Sequence, residues 1–69
     1  MHPLYAAART QEVLIALREL LSRNQCAAYF DLETLSELLH EERLLFYRPG
    51  LSEVEAAREA LLVEGEVLA

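Results

Sequence analysis

The amino-acid sequence predicts a small, mainly α-helical domain of three helices with two short strands. The chain has 69 residues, which is enough for one domain spanning 1–69. Its composition is 54% hydrophobic, which is too apolar for a disordered chain. Apolar residues recur at helical spacing in three stretches, and each stretch is bounded by residues that typically cap or break helices.

The first helix is expected to run from Pro3, a residue suited to a first helical turn, to about Asn24. Its apolar residues form one stripe, which consists of Val13, Leu14, Leu17, Leu20 and Leu21. Ile15 lies on the opposite, polar side of this helix. A single exposed isoleucine usually has no special role, and the alternative is that Ile15 contacts a partner.

A short strand and a second helix are expected next. The segment Gln25–Phe30 ends in two aromatic residues, which favour a brief strand. Asp31 is typical of a helix N-cap, and Phe30 and Leu35 are spaced as a hydrophobic staple across the helix start. The second helix should then run from Leu32 to about Glu42, and its buried face should consist of Leu35, Leu38 and Leu39.

Within the segment Arg43–Leu51, the residues Leu44 to Tyr47 fit either an extension of the second helix or a short extended piece. Pro49-Gly50 breaks the helix, and Ser52 with Glu55 matches the capping-box pattern S-x-x-E. The third helix is therefore expected over 53–64, with a final strand over 66–69.

The third helix carries the spacing V-x-x-A-x-x-x-L-x-x-x-G-x-V, at Val54, Ala57, Leu61, Gly65 and Val67. The first three should face the core, and Gly65 should end the helix. This pattern resembles the winged-helix family, and LETLSELL is similar to that family's positioning helix. The resemblance implies a winged-helix-like domain. Two departures indicate a truncated or wingless variant: the stretch 40–51 exceeds a tight turn, and a two-strand wing needs about ten more residues.

The resemblance also implies a DNA-binding regulator, which the charges disfavour. The net charge is −6, and phosphate repels a negative domain. The outward face of the third helix carries Glu55 and Glu59 where a reading helix normally presents cations. The basic residues that could still contact nucleic acid in this alternative are Arg43, Arg48 and Arg58.

Catalysis, metals, cofactors and membranes are not expected. Cys26 has no neighbouring base that indicates an activated thiol, and it is expected to be a small buried residue. His2 and His40 lack zinc-ligand spacing, and no glycine-rich phosphate loop exists. No apolar run approaches the roughly 18 residues of a membrane span. A single cysteine and no signal peptide favour the cytoplasm.

The sequence therefore predicts a non-enzymatic protein-interaction module that forms a homodimer or binds another protein, because its apolar content exceeds what one small core easily hides. The candidate interaction residues are Ile15, Glu55, Glu59, Leu62, Val63 and Val67. One alternative is a DNA-binding regulator with a reduced wing. Another is a subunit that completes its fold only on a partner.

Overall fold

A computed structural model describes residues 3–64, with side chains described from residue 9 onward. Within that range the chain forms α1 (Pro3–Arg23), a 3₁₀ helix (Gln25–Tyr29), α2 (Leu32–Glu41) and α3 (Leu51–Glu64). The mainly α class is confirmed. The prediction of strands is wrong for the described residues, none of which is extended into a strand. The expected strand over 66–69 and the helix-ending Gly65 lie outside them.

The predicted strand at Gln25–Phe30 is replaced by the 3₁₀ helix. Asn24 caps it, because its side chain accepts a hydrogen bond of 3.1 Å from the Cys26 N–H. The Asn24 carbonyl also accepts from the Ala27 N–H at 3.0 Å. Asparagine side chains that bond to the nearby backbone favour turns over strands. This local capping outweighs the strand preference of the two aromatic residues.

Helices α1 and α3 pack against each other in a parallel direction. An ion pair joins Arg9 Nε to Glu53 Oε2 at 3.5 Å near both helix starts, and another joins Arg18 to Glu64 at 3.1 Å near the end of α3. The predicted α1 stripe is confirmed, and so are Val54, Ala57 and Leu61 as the core face of α3. The buried core comprises Val13, Leu14, Ala16, Leu17, Leu20, Ala27, Leu35, Leu39, Leu45, Val54, Ala57 and Leu61.

Helix α2 begins as predicted, because Asp31 accepts a hydrogen bond of 2.8 Å from the Thr34 N–H. It ends in a Schellman motif, in which the Leu44 N–H donates to the Leu39 carbonyl at 3.1 Å and the Arg43 N–H to the His40 carbonyl at 3.0 Å. Arg43 has a φ of 62° and occupies the left-handed position usually held by glycine. The segment after it is therefore an irregular turn, neither a longer helix nor a strand.

Helix α3 begins two residues earlier than predicted. The Gly50 N–H donates to Glu53 Oε1 at 3.0 Å, and the Gly50 carbonyl accepts from the Glu53 and Val54 N–H groups at 3.1 Å. Gly50 is thus the N-cap and Glu53 the reciprocal acid three residues later. The capping box predicted from Ser52 and Glu55 is wrong, because the helix already begins at Leu51 and Gly50 with Glu53 forms its cap.

Two buried or half-buried polar contacts hold α2 against its neighbours. The buried Ser36 hydroxyl donates to the Pro49 carbonyl at 2.7 Å, which fixes the irregular turn alongside α2. The Arg58 guanidinium donates to the Phe30 carbonyl at 2.8 Å, which ties α3 to the start of α2. A buried carbonyl without a partner costs more than the bond gains, so these contacts fix the positions of the exposed surfaces described next.

Candidate interaction surfaces

Four exposed residues on the outer side of α3 form a surface that we call the acidic face: Glu55, Glu59, Leu62 and Val63. At about 100° per residue they occupy an arc of roughly 100°, away from the buried face of the helix. Leu62 is 42% exposed and Val63 is 88% exposed. Neither glutamate forms an ion pair within the described chain. The sequence placed all four outward, and their exposure is confirmed.

The irregular turn presents a second surface, which we call the aromatic turn (residues 43–46). Leu45 is buried and Leu44 is half-buried against the core, whereas Phe46 is 102% exposed, as fully as in an extended chain. The exposure of Phe46 was not predicted from the sequence. Four consecutive apolar residues with no helical or strand period carry no signal for which one points outward.

Arg43, at the start of the aromatic turn, is exposed and has no hydrogen bond or ion pair from its side chain among the described residues. The other five arginines are all engaged. Their partners are Glu53 for Arg9, Glu64 for Arg18, Glu19 for Arg23, Glu33 and Glu37 for Arg48, and the Phe30 carbonyl for Arg58. Of the three arginines named for the DNA-binding alternative, Arg48 and Arg58 are thus engaged within the chain, and Arg43 alone has no partner among the described residues.

Ile15, on α1, lies apart from the acidic face. Ile15 is 56% exposed, as predicted, on the side of α1 opposite the stripe that packs against α3. Its helical neighbours Glu12 and Glu19 are exposed, so Ile15 stands alone among polar groups. Val67 lies outside the described residues. Tyr29, on the 3₁₀ helix, is 80% exposed and was not predicted.

A cluster around Tyr47 joins the irregular turn to the starts of α1 and α3. The Arg9 guanidinium carbon lies 4.3 Å from the centroid of the Tyr47 ring, and Arg9 also pairs with Glu53. A cation over an aromatic face contributes about 0.5–1 kcal/mol at an exposed site. The Tyr47 hydroxyl is buried and makes no hydrogen bond in the described chain. We assign this cluster a structural role, because it holds the turn that carries Phe46.

Groups that could perform chemistry are dispersed. Cys26 is exposed, so its expected burial is wrong; the cap from Asn24 turns the start of the 3₁₀ helix outward. Hydrogen bonds from Thr34, first from its side chain and then from its backbone, lower the pKa of Asp31 from 3.8, as befits a helix cap. Over the described residues, no three His, Cys, Asp or Glu side chains are placed to hold a metal ion.

None of the described helices is both long enough and apolar enough to cross a membrane. Comparison with known proteins gives no relative: no family model, no curated protein and no solved structure matches the chain. Nothing in these comparisons identifies a winged-helix protein. The two exposed surfaces are therefore the features of the described chain that bear on its function.

Proposed function

We propose that this protein is a small, non-enzymatic, helical interaction module that pairs with a second copy of itself. The observation that carries the proposal is the exposure of large apolar side chains beside a closed core: Phe46, Val63 and Leu62. Fully burying a side chain of this size contributes about 1.5–3 kcal/mol, so a partner that covers several of them gains appreciable affinity. A single cysteine supports extending the proposal to a cytoplasmic location.

Binding to DNA has less support. Arg48 and Arg58 are engaged with groups of the chain itself, and the net charge of −6 opposes contact with phosphates. No described surface gathers several unpaired cations. Titration with a duplex DNA probe tests this alternative. A DNA-binding regulator would shift the probe at low salt and release it steeply as the salt concentration rises.

Light scattering over a concentration series tests self-association directly. We expect a mass of about twice the 7.8 kDa of one chain at tens of micromolar. Replacing the exposed Val63 with Asp should shift the equilibrium toward single chains, because it places a charge in the buried centre of the contact. Ile15→Asp is the control, because Ile15 is also apolar and more than half exposed but lies on α1, apart from the acidic face. It should leave the mass unchanged. A mass of one chain throughout would overturn the proposal.

A further inference from the structure

We propose that the aromatic turn of one copy docks on the acidic face of the second copy. Phe46 would insert against Leu62 and Val63, and Arg43 would pair with Glu59 and Glu55. This inference rests on the proposed self-association and names the two surfaces that meet. In a two-fold pair each chain supplies both surfaces, so the same contact forms twice.

The charges of the two surfaces are complementary. Arg43 is the one arginine whose side chain has no partner among residues 9–64, whereas every other arginine is bonded to a carboxylate or a carbonyl. Glu55 and Glu59 are likewise without ion pairs in that range. Each surface thus combines unpaired charge with exposed apolar groups, and the two charges have opposite sign. Arginine–carboxylate pairs are short, directional and frequently bidentate.

The two surfaces of one chain do not satisfy each other. If the aromatic turn reached the acidic face of its own molecule, Arg43 would have a carboxylate partner and Phe46 would be covered. Instead Arg43 is unpaired and Phe46 is fully exposed. The two surfaces therefore lie apart in one chain, and a second copy supplies the complementary surface to each.

The backbone at Arg43 adds an independent observation. A left-handed conformation costs an L-residue roughly 1–2 kcal/mol, and glycine is the usual residue at this position of a Schellman motif. Arg43 nevertheless occupies it at a φ of 62°. Its side chain is exposed and bonds to nothing in the described chain, so the folded monomer gains nothing evident from the guanidinium. A role in binding a partner accounts for an arginine at a position where glycine would be less strained.

A charge-exchange experiment tests the pairing. In a pair of Arg43→Glu chains, negative charges would meet across each contact, and in a pair of Glu59→Arg chains positive charges would meet there. Each variant alone should therefore scatter light as single chains. An equimolar mixture of the two variants restores opposite charges in both contacts, and should return to the two-chain mass. Glu12→Arg changes the net charge as Glu59→Arg does and is the control for that variant, because Glu12 is exposed, lies on α1 and makes no ion pair in the described chain. It should leave the wild-type mass unchanged.

The outcomes separate this inference from the proposed function. A single-chain mass for the wild type at every concentration would overturn both. A two-chain mass for the wild type that survives Arg43→Glu would overturn the docking of the aromatic turn and leave self-association standing. Two single-chain variants that stay apart when mixed would also overturn the pairing. Circular dichroism of each variant establishes that the helices are intact, and Phe46→Ser provides a second, uncharged loss of the contact.

Discussion

Replacing Arg43 with glycine should make the folded chain more stable while removing its proposed contact. Arg43 occupies the left-handed position of the Schellman motif that ends α2, at a φ of 62°. This backbone conformation costs an L-residue roughly 1–2 kcal/mol. Glycine removes that cost, and it gives back about 0.4–1 kcal/mol because it is freer in the unfolded chain. The net gain should be about 1 kcal/mol.

The appropriate reference for this measurement is Arg43→Ala, which keeps the strained backbone. Both variants lack the guanidinium, so any loss of self-association affects them equally and cancels in the comparison. Thermal unfolding followed by circular dichroism should place the glycine variant about 4–8 °C above the alanine variant, as expected for about 1 kcal/mol in a domain of this size. An alanine variant as stable as the glycine variant would refute the argument, because it would mean that position 43 carries no backbone strain.

Three further changes test the packing, the buried hydrogen bond and the helix cap. Leu61→Ala should lower the free energy of unfolding by about 2–5 kcal/mol in a urea titration, because Leu61 is fully buried. Ser36→Ala should cost about 1–3 kcal/mol in the same titration, because the buried Pro49 carbonyl loses its donor. Asp31 has a pKa lowered from 3.8, so its contribution to stability should be present above that value and be lost as pH falls through the lower folded pKa. Melting temperatures of Asp31→Asn between pH 5 and 2 should therefore fall less steeply than those of the wild type.

Each of these changes has a result that contradicts its reasoning. Leu62→Ala, one position along α3 and 42% exposed, should cost far less than Leu61→Ala in the monomeric chain; equal costs would mean that the helix is rotated. Ser52→Ala removes an exposed hydroxyl and should leave stability unchanged within about 0.5 kcal/mol. A cost for Ser36→Ala that is no larger than this would mean that its hydroxyl is not needed by the Pro49 carbonyl. Identical acid profiles for Asp31→Asn and the wild type would show that the cap does not depend on the carboxylate charge.

The helices could be predicted from the sequence because each buried face has an uninterrupted period. The α1 stripe and the core residues of α3 repeat at helical spacing, and this periodicity does not depend on the conformation of the loops. The 3₁₀ helix could not be distinguished from a strand in the same way. A run of six residues is too short to show a period, and its conformation depends on where the Asn24 side chain finds a donor.

The interaction surfaces could be predicted only in part. Glu55, Glu59, Leu62 and Val63 follow from the rotation of α3, which the core residues determine. Arg43 was identified as a basic residue, but its left-handed backbone depends on the Schellman bonds to Leu39 and His40, which the sequence does not signal with a glycine. The exposure of Phe46 depends in turn on how that motif redirects the chain.

The parallel packing of α1 on α3 has a consequence for the order of folding. The contacts between the two helices join residues far apart along the chain, as in the Arg18–Glu64 bond with a separation of 46 residues. The apolar stripe of α1 thus stays partly uncovered until α3 has formed, because the 3₁₀ helix and α2 cover less of it than α3 does. We expect no partly folded intermediate in which α1 is protected alone. Native-state hydrogen exchange should give the central amides of α1 and α3 the same opening free energy, as in a single cooperative foldon.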